Sequence, residues 1–205
     1  MRKLKLSEFL NKYYTGQMLT VVDVGGNQGE FIPDFEKESP VKYVLDINNI
    51  SPNPGIIKIG SLSEKSKFSL IIYSHVLEHV DNPRMELSKL LSFSNNIYVE
   101  TPYGTPSINV LHSSRVVVYA MAILSHFPSI YRKFITASVG RENRFKPLVQ
   151  SEHLSFFLPE TFYYLAKVLN CKIQLDENEI LDTMGNSMRV IRALLTKNNE
   201  NLTAI

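Results

Sequence analysis

The chain has 205 residues, and its hydrophobic content of 44% is enough for a folded core and argues against a disordered chain. Its 22 basic and 20 acidic residues give a formal net charge of +2, a composition that does not favour binding to nucleic acid. A single cysteine excludes a disulfide framework and a thiolate zinc site, and since no signal-peptide pattern is present we expect a cytoplasmic protein.

The first predicted element is an amphipathic helix over residues 3–14, whose apolar side chains recur at helical spacing. Its basic start, Arg2-Lys3-Leu4-Lys5, is interpreted as a solvated helix surface rather than a docking site. A continuous apolar run, residues 18–24, then predicts a strand that is buried on both faces. A glycine-bearing loop over 25–29 follows, and a helix is predicted from about Glu30 to Lys37.

Strands and helices continue to alternate along most of the chain, which predicts a largely parallel sheet with helices on both faces. The further predicted strands are 41–45, 56–59, 68–73, 97–99, 171–175 and 187–195. The further predicted helices are 83–91, which begins at a proline, and 159–169. A loop joins the last two strands, so we expect them to pair antiparallel.

Residues 103–150 interrupt this alternation, and we interpret them as a lid or substrate segment inserted into a single domain, 1–205, that begins with an N-terminal helix region, 1–16. This segment contains an apolar helical stretch at about 108–124, whose most apolar run, 116–124, is much shorter than the roughly 20 residues that span a bilayer. The stretch is interpreted first as a core or lid helix. A dimer surface and peripheral contact with a membrane or a lipid-linked substrate are the alternatives, so monomer and homodimer both stay open.

The strongest chemical signal is the sequence VDVGGNQG, residues 22–29, at the end of the first strand. Glycines at such a turn let the backbone approach a ligand closely. The spacing is not the G-x-G-x-x-G of dinucleotide enzymes, because Gly25 and Gly29 are four residues apart and Gly26 is adjacent to the first. A tight strand-to-helix turn in another kind of α/β protein is the alternative.

This segment resembles motif I of class I S-adenosylmethionine-dependent methyltransferases, in which an acid, any residue and a glycine are followed by three residues and a second glycine. In that family the loop surrounds the amino-acid part of the cofactor, and the acid helps to orient it. The resemblance implies the cofactor contacts Asp23, Gly25, Gly26, Asn27 and Gly29.

Two later positions are also predicted to contact the cofactor. Asp46 ends the second strand, where a carboxylate can accept both ribose hydroxyls, although an exposed acid in a turn is the alternative. The family commonly carries an acid after the third strand, which helps to bind the adenine amino group. Here Ser61 and Leu62 occupy that place, so adenine recognition departs from the family pattern.

The segment SHVLEHVDNP, residues 74–83, resembles the hVLEHv-x-x-P segment of small class I methyltransferases, a group that includes quinone-biosynthesis and cell-surface-sugar enzymes. Ser74 and His75 follow the fourth predicted strand at the carboxyl edge of the sheet, where the ligand is expected, so we predict that both contact the cofactor. The same residues match the H-x-x-E-H pattern of inverted zinc peptidases. That chemistry needs both histidines on one helix face, whereas His75 directly follows a predicted strand, so the zinc interpretation is disfavoured.

Methyl transfer depends mainly on positioning the acceptor, and a general base is needed only for a neutral hydroxyl. His75 is the best-placed candidate base, because its strand neighbours the glycine-loop strand. Alternatively, His75 forms a hydrogen bond with the cofactor or only fills space in its loop. His153, in a segment expected to fold over the site, is the second candidate base, whereas Glu78 and His79 are expected to hold their loop together.

The acids near this edge of the sheet, Glu78, Asp81 and Glu100, do not form a convincing magnesium cluster, so we predict no metal. The resemblance implies a Rossmann-like, doubly wound seven-stranded sheet in the order 3-2-1-4-5-7-6 with the last strand antiparallel. It also implies S-adenosylmethionine as cofactor and methylation of a small molecule or glycan precursor, with O-methylation of a sugar or lipid-linked glycan favoured. Methylation of a quinone-like or other apolar metabolite, and a catalytically silent binding or scaffold subunit, are the alternatives.

Overall fold

A computed structural model of the protein describes residues 2–35, 39–63, 67–103, 157–181 and 187–198. The elements below belong to one compact unit, Met1–Tyr103 together with Leu154–Ile205. The predicted insertion lies outside the described residues except at Tyr103, so its role as a lid stays a prediction. Within the described ranges, no helix is long and apolar enough to cross a membrane.

The described residues form three α-helices, one short 3-10 helix and seven strands. The α-helices are α1 (Arg2–Tyr13), α2 (Pro83–Leu90) and α3 (Pro159–Val168), and the 3-10 helix is Leu77–His79. The strands are β1 (Thr20–Val24), β2 (Val41–Leu45), β3 (Ile56–Lys58), β4 (Leu70–Ser74), β5 (Asn96–Pro102), β6 (Cys171–Leu181) and β7 (Ser187–Lys197). Each of these strands and α-helices overlaps a predicted one, although β5 and β6 extend well beyond the residues predicted for them.

The seven strands form one sheet in the order β3-β2-β1-β4-β5-β7-β6. The first five pair in parallel, whereas β7 runs antiparallel to both β5 and β6. The predicted order and the antiparallel last strand are therefore confirmed. In this register Val24 lies beside Leu45, and Ser74 lies beside Glu100. The carboxyl ends of four neighbouring strands thus meet at one edge, where an open α/β sheet binds its ligands.

Helix α1 covers one face of the sheet. Its buried side chains, Leu6, Phe9 and Leu10, pack into a cluster with residues of β1, β4 and β5. Fully burying each such side chain contributes roughly 1.5–3 kcal/mol, so the helix is firmly docked. Its last turn is followed by Tyr14, whose hydroxyl donates to the carbonyl oxygen of Ser69 before β4. The helix therefore runs antiparallel to β4, which brings its first residue, Arg2, to the carboxyl edge.

The helix predicted from Glu30 to Lys37 is wrong over the part that the structure describes. Residues 27–31 form turns, and residues 32–35 have no regular structure. The amide of Ile32 closes a turn by donating to the carbonyl oxygen of Gly29 at 3.2 Å. Pro33 explains the difference, because a proline ring disfavours the α-helical conformation of the residue that precedes it.

Candidate active site

The glycine loop begins where β1 ends. The amide of Gly25 donates to the carbonyl oxygen of Leu45 at 2.7 Å, which ties the start of the loop to the end of β2. Gly25 and Gly29 have φ values of 76° and 77°, a conformation that side chains with a Cβ disfavour. A Cβ on Gly25 would also lie 2.5 Å from the Cγ2 atom of Val76. Both glycines are therefore required by the backbone path of the loop.

Asp23 lies beneath this loop rather than on its surface. A Cβ on Gly26 would lie 2.2 Å from the carboxyl group of Asp23, so only glycine fits over the acid. The Asp23 side chain is buried, and its Oδ2 atom has no hydrogen-bond partner in the described part of the chain. Burial, helped by the nearby charges of Asp46 and Glu30, outweighs the opposing charge of Arg2 and raises the pKa of Asp23 to about 7.

The structure brings Asp46 to the glycine loop, as predicted. Its Oδ2 atom accepts a hydrogen bond from the amide of Asn27 at 2.7 Å, and its Oδ1 atom accepts one from the amide of Asn48, also at 2.7 Å. Asn27 has a φ of 52°, and its Oδ1 atom is buried without a partner among the described residues. Two backbone amides therefore fix the Asp46 carboxylate beside an unsatisfied polar atom of the loop.

The end of β3 is less organised. Ser61 is exposed, and Leu62 is half-buried against the core cluster on the α2 side of the sheet. No hydrogen bond joins Ser61 to the glycine loop in the described part of the protein, so the adenine contact predicted for it stays a prediction. Directly after Asp46, the apolar side chain of Ile47 is fully exposed, at 102%. Sequence reasoning did not select Ile47.

A buried carboxylate, Glu100 near the end of β5, binds side chains from α1, β5 and β7. Its Oε1 atom accepts from Nε of Arg2 at 2.6 Å. Its Oε2 atom accepts from Nε of Arg192 at 2.7 Å and from the hydroxyl of Tyr98 at 2.9 Å. The side chains of Glu100 and Arg192 are each only 1% exposed. These residues lie on the same face of the sheet as α1.

Glu100 stays ionised in this environment. Burial opposes ionisation, but the His75 ring and the guanidinium groups of Arg2 and Arg192 outweigh it and hold the Glu100 pKa well below its usual range. An ionised carboxylate whose oxygens already accept four hydrogen bonds, from Arg2, Ser74, Tyr98 and Arg192, is unsuited to act as a general base. We therefore regard Glu100 as an anchor for the neighbouring cations.

The position of Arg2 corrects the prediction that the basic start of α1 is merely a solvated surface. The Arg2 side chain is 25% exposed, and its Nη2 atom donates to Oγ of Ser74 at 2.6 Å. Its guanidinium group also lies 4.3 Å from the centroid of the Phe31 ring. The prediction holds for Lys3 and Lys5, whose side chains are 42% and 39% exposed and form surface ion pairs.

His75 lies at the predicted edge of the sheet, but its ring faces acids. The residue has a φ of 55°, which turns the chain sharply after β4. Its Nε2 atom lies 3.2 Å from Oε1 of Glu100, and its Nδ1 atom lies 3.5 Å from Oε1 of Glu78, without hydrogen-bond geometry. Glu78 is 1% exposed, and burial raises its pKa. A role of His75 as base stays a prediction, as does that of His153, which lies outside the described residues.

The structure contradicts the zinc-peptidase interpretation. His75 precedes the 3-10 helix that contains Glu78 and His79, so the two histidines do not share a face of an α-helix. Among the described residues, no group of three or more histidine, cysteine, aspartate or glutamate side chains could hold a metal ion. The arrangement therefore lacks the ligand geometry that this chemistry requires.

Comparison with known proteins identifies the family and agrees with the fold. A family model described as a methyltransferase domain matches residues 2–174. The chain belongs to this methyltransferase family. The predicted relation to class I S-adenosylmethionine-dependent methyltransferases is thereby confirmed. No curated protein matches this chain.

Solved structures share the fold of this methyltransferase at low sequence identity. Magnesium protoporphyrin IX methyltransferase from Synechocystis PCC 6803, with bound SAH, is 14% identical, with a TM-score of 0.53 over 94% of this chain and 81% of that one. A SAM-dependent methyltransferase from Archaeoglobus fulgidus is 15% identical, with a TM-score of 0.56 over 95% and 94% of the two chains. The 1,6-didemethyltoxoflavin-N1-methyltransferase from Burkholderia thailandensis is 9% identical, with a TM-score of 0.58 over 96% and 79%.

Proposed function

We propose that this methyltransferase binds S-adenosylmethionine at the carboxyl edge of β1 and β2 and methylates a small molecule or glycan precursor. A hydroxyl group of a sugar or lipid-linked glycan is the favoured acceptor. Membership of the methyltransferase family supports the reaction class. The Synechocystis and Burkholderia structures contain S-adenosylhomocysteine, which supports the choice of cofactor.

The observation that carries the proposal is the position of the Asp46 carboxylate. Each of its oxygens accepts one backbone hydrogen bond and keeps capacity for another, so the pair suits the two hydroxyls of a ribose. The unpartnered acceptor atoms of Asp23 and Asn27 suit the ammonium group of the cofactor's amino-acid part. Gly25, Gly26, Asn27 and Gly29 supply the close-packed backbone that the same part requires.

The place expected to bind the adenine ring departs from the family pattern. Its residues suit apolar contact with the ring rather than a hydrogen bond from the adenine amino group to a carboxylate. Ser61 and Leu62 remain the proposed adenine contacts after β3. The fully exposed Ile47 side chain adds an apolar surface directly after the ribose-binding acid. Burying such a side chain against a base contributes free energy in proportion to the apolar area removed from water.

When bound, S-adenosylmethionine supplies an activated methyl group on its sulfonium. The protein then has to hold the acceptor in line and, for a hydroxyl, remove its proton. Ser74 and His75 end β4 beside the glycine-loop strand, and we propose His75 as the base and His153 as the second candidate. For His75 to serve, its Nε2 atom has to leave Glu100 and face the acceptor.

The charged groups at the ends of β4 and β5 favour a polar acceptor over a quinone-like one. Arg2, His75 and Glu100 lie together there, and a polar acceptor can form hydrogen bonds with such charged groups, which an apolar ring system cannot do. A silent scaffold is disfavoured because the loop keeps glycine where a ligand needs close approach. The expected substrate is therefore a hydrophilic molecule.

Calorimetric titration of the purified chain with S-adenosylmethionine and S-adenosylhomocysteine, with NAD as control, tests this proposal. We expect binding of the first two at micromolar concentrations, weakened about tenfold or more by Asp46→Ala because two hydrogen bonds to a charged group are lost. Asp34→Ala is the matched control, since it removes an exposed acid whose partners among the described residues are Lys3 and Lys42. Failure of both ligands to bind, or equal binding of NAD, would overturn the proposal.

A further inference from the structure

Two arginines donate to the Glu100 carboxylate near the end of β5, and each uses only part of its donor capacity for it. Arg2 and Arg192 each donate to Glu100 through Nε alone, rather than through the two-bond fork that arginine forms with a free carboxylate. Arg2 directs its Nη2 atom to Ser74. The Nη2 atom of Arg192 is buried and has no partner in the described ranges.

The charges of this group do not cancel. Both guanidinium groups are permanently protonated, whereas Glu100 contributes a single negative charge. Two further buried acids lie near Arg2, Glu78 and Asp23, and burial raises the pKa of each. An unfilled donor on a buried guanidinium group is unfavourable, and an oxyanion that reaches it from the partly exposed Arg2 side would satisfy it.

The location separates this group from the proposed ribose site. Asp46 ends β2 and Glu100 lies in β5, and the sheet order places β1 and β4 between them. At about 4.8 Å per strand, the two carboxylates lie on the order of 14 Å apart along the edge. Arg2 reaches this place from α1 and packs on Phe31, just beyond the glycine loop.

We propose that Arg2 and Arg192, held in place by Glu100, form a binding site for a carboxylate or phosphate group of a reactant. This deepens, and rests on, the proposed methyl transfer, because the anion belongs either to the amino-acid part of the cofactor or to an acidic group on the acceptor. The chemistry of recognition is the same for both sources. A guanidinium fork, supported from behind by an ionised carboxylate, binds a planar or tetrahedral oxyanion.

Arg2→Met in the full-length chain is the decisive variant, because Arg2 is partly exposed whereas Arg192 is fully buried and its loss endangers folding. Lys3→Met is the matched control, since it removes one positive charge from the same helical turn without touching Glu100. Arg2→Lys, which keeps the charge but loses the fork, serves if Arg2→Met fails to fold. Circular dichroism verifies the fold of each variant.

Calorimetry with S-adenosylhomocysteine, with 5′-methylthioadenosine and with inorganic phosphate distinguishes the two sources. Methylthioadenosine keeps the adenosine but lacks the amino acid. If the cofactor supplies the anion, Arg2→Met weakens S-adenosylhomocysteine about tenfold and leaves methylthioadenosine unchanged. If the acceptor supplies it, phosphate binds with S-adenosylhomocysteine present, and Arg2→Met weakens phosphate by a similar factor.

The proposal is overturned if Arg2→Met matches Lys3→Met with all three ligands. It is also overturned if phosphate does not bind and the preference for S-adenosylhomocysteine over methylthioadenosine is independent of Arg2. Failure of the proposed function gives a different result, because neither S-adenosylhomocysteine nor methylthioadenosine would then bind the unmodified chain. The phosphate titration would still report on the arginine pair in that case.

Discussion

The two ends of the candidate site contain buried carboxylates with opposite properties. Asp23, beneath the glycine loop, is 2% exposed, and Glu100, at the end of β5, is 1% exposed. Burial raises the pKa of Asp23 to about 7, whereas neighbouring cations hold the pKa of Glu100 well below its usual range. Depth of burial therefore does not decide the charge of an acid. The partners within hydrogen-bond distance decide it.

The two regions also differ in how the chain builds them. In the glycine loop, Asp46 is bound by amides 19 and 2 residues away along the sequence. Glu100 is bound by arginines 98 and 92 residues away. The first region is a local backbone structure, and the second exists only when α1, β5 and β7 are all in place. Disruption of each region should accordingly have different consequences.

Glu100→Gln should have the largest effect on stability. It leaves the guanidinium groups of Arg2 and Arg192 without their counter-charge, and breaking a buried ion pair in this way costs about 3–5 kcal/mol. Urea unfolding of the purified variant measures the loss. The matched control is Glu177→Gln, whose partner Arg189 also lies on β7 but is 54% exposed.

The Glu177→Gln control should change the free energy of unfolding by about 0–1 kcal/mol, as is typical of surface ion pairs. Equal losses in the two variants would show that Glu100 is not an electrostatic anchor. The contrast between the two regions would then lose its basis.

Gly26→Ala should destabilise the glycine loop by about 1–3 kcal/mol, the usual range for an overpacked interior site. The added Cβ would lie 2.2 Å from the Asp23 carboxyl, so the acid or the loop has to move. Thermal unfolding and titration with S-adenosylhomocysteine measure the two consequences. Gly60→Ala is the control, because a Cβ on Gly60 would meet no atom of the described residues within 4 Å, and it should leave both quantities nearly unchanged.

Titration of Asp23 should change the free energy of unfolding by a smaller amount that depends on pH. Its folded-state pKa, about 7, is above the ordinary 3.8, so the folded protein binds a proton that the unfolded chain releases. The associated stability is fully present below about pH 3.8 and is lost as the pH rises through 7. Between pH 6 and pH 7 this group alone should reduce the free energy of unfolding by about 1 kcal/mol.

Urea unfolding of Asp23→Asn at both pH values isolates this contribution, because asparagine keeps the shape but does not titrate. The difference between pH 6 and pH 7 should shrink by about 1 kcal/mol in the variant. An unchanged difference would mean that Asp23 is ionised throughout this range. The two buried acids would then behave alike.

Much of the fold could be predicted because its signals are local. Continuous apolar runs gave β1 and β4, and Pro83 and Pro159 marked the first residues of α2 and α3. The failure over residues 30–35 is also local in origin, since Pro33 disfavours the α-helical conformation of the residue before it. The strand order came from family resemblance rather than from periodicity.

The candidate site could likewise be predicted only where its signals are local. The glycine spacing and Asp46 were visible because a turn and a strand end have short sequence signatures. Arg2, Tyr98 and Arg192 were not, because nothing in the sequence indicates that three residues from α1, β5 and β7 converge on Glu100. One signal was available: a carboxylate in the middle of a buried apolar strand needs partners.

The position of β7 in the sheet has a consequence for how the chain is made. It is the last of the described strands to be synthesised, yet it lies between β5 and β6. Until it emerges from the ribosome, β5 presents an open apolar edge, and Glu100 lacks the arginine opposite it. Such edges pair readily with other chains, and pairings between distant segments form slowly. A chain that lacks β7 therefore cannot complete the sheet, because β6 joins β5 only through β7.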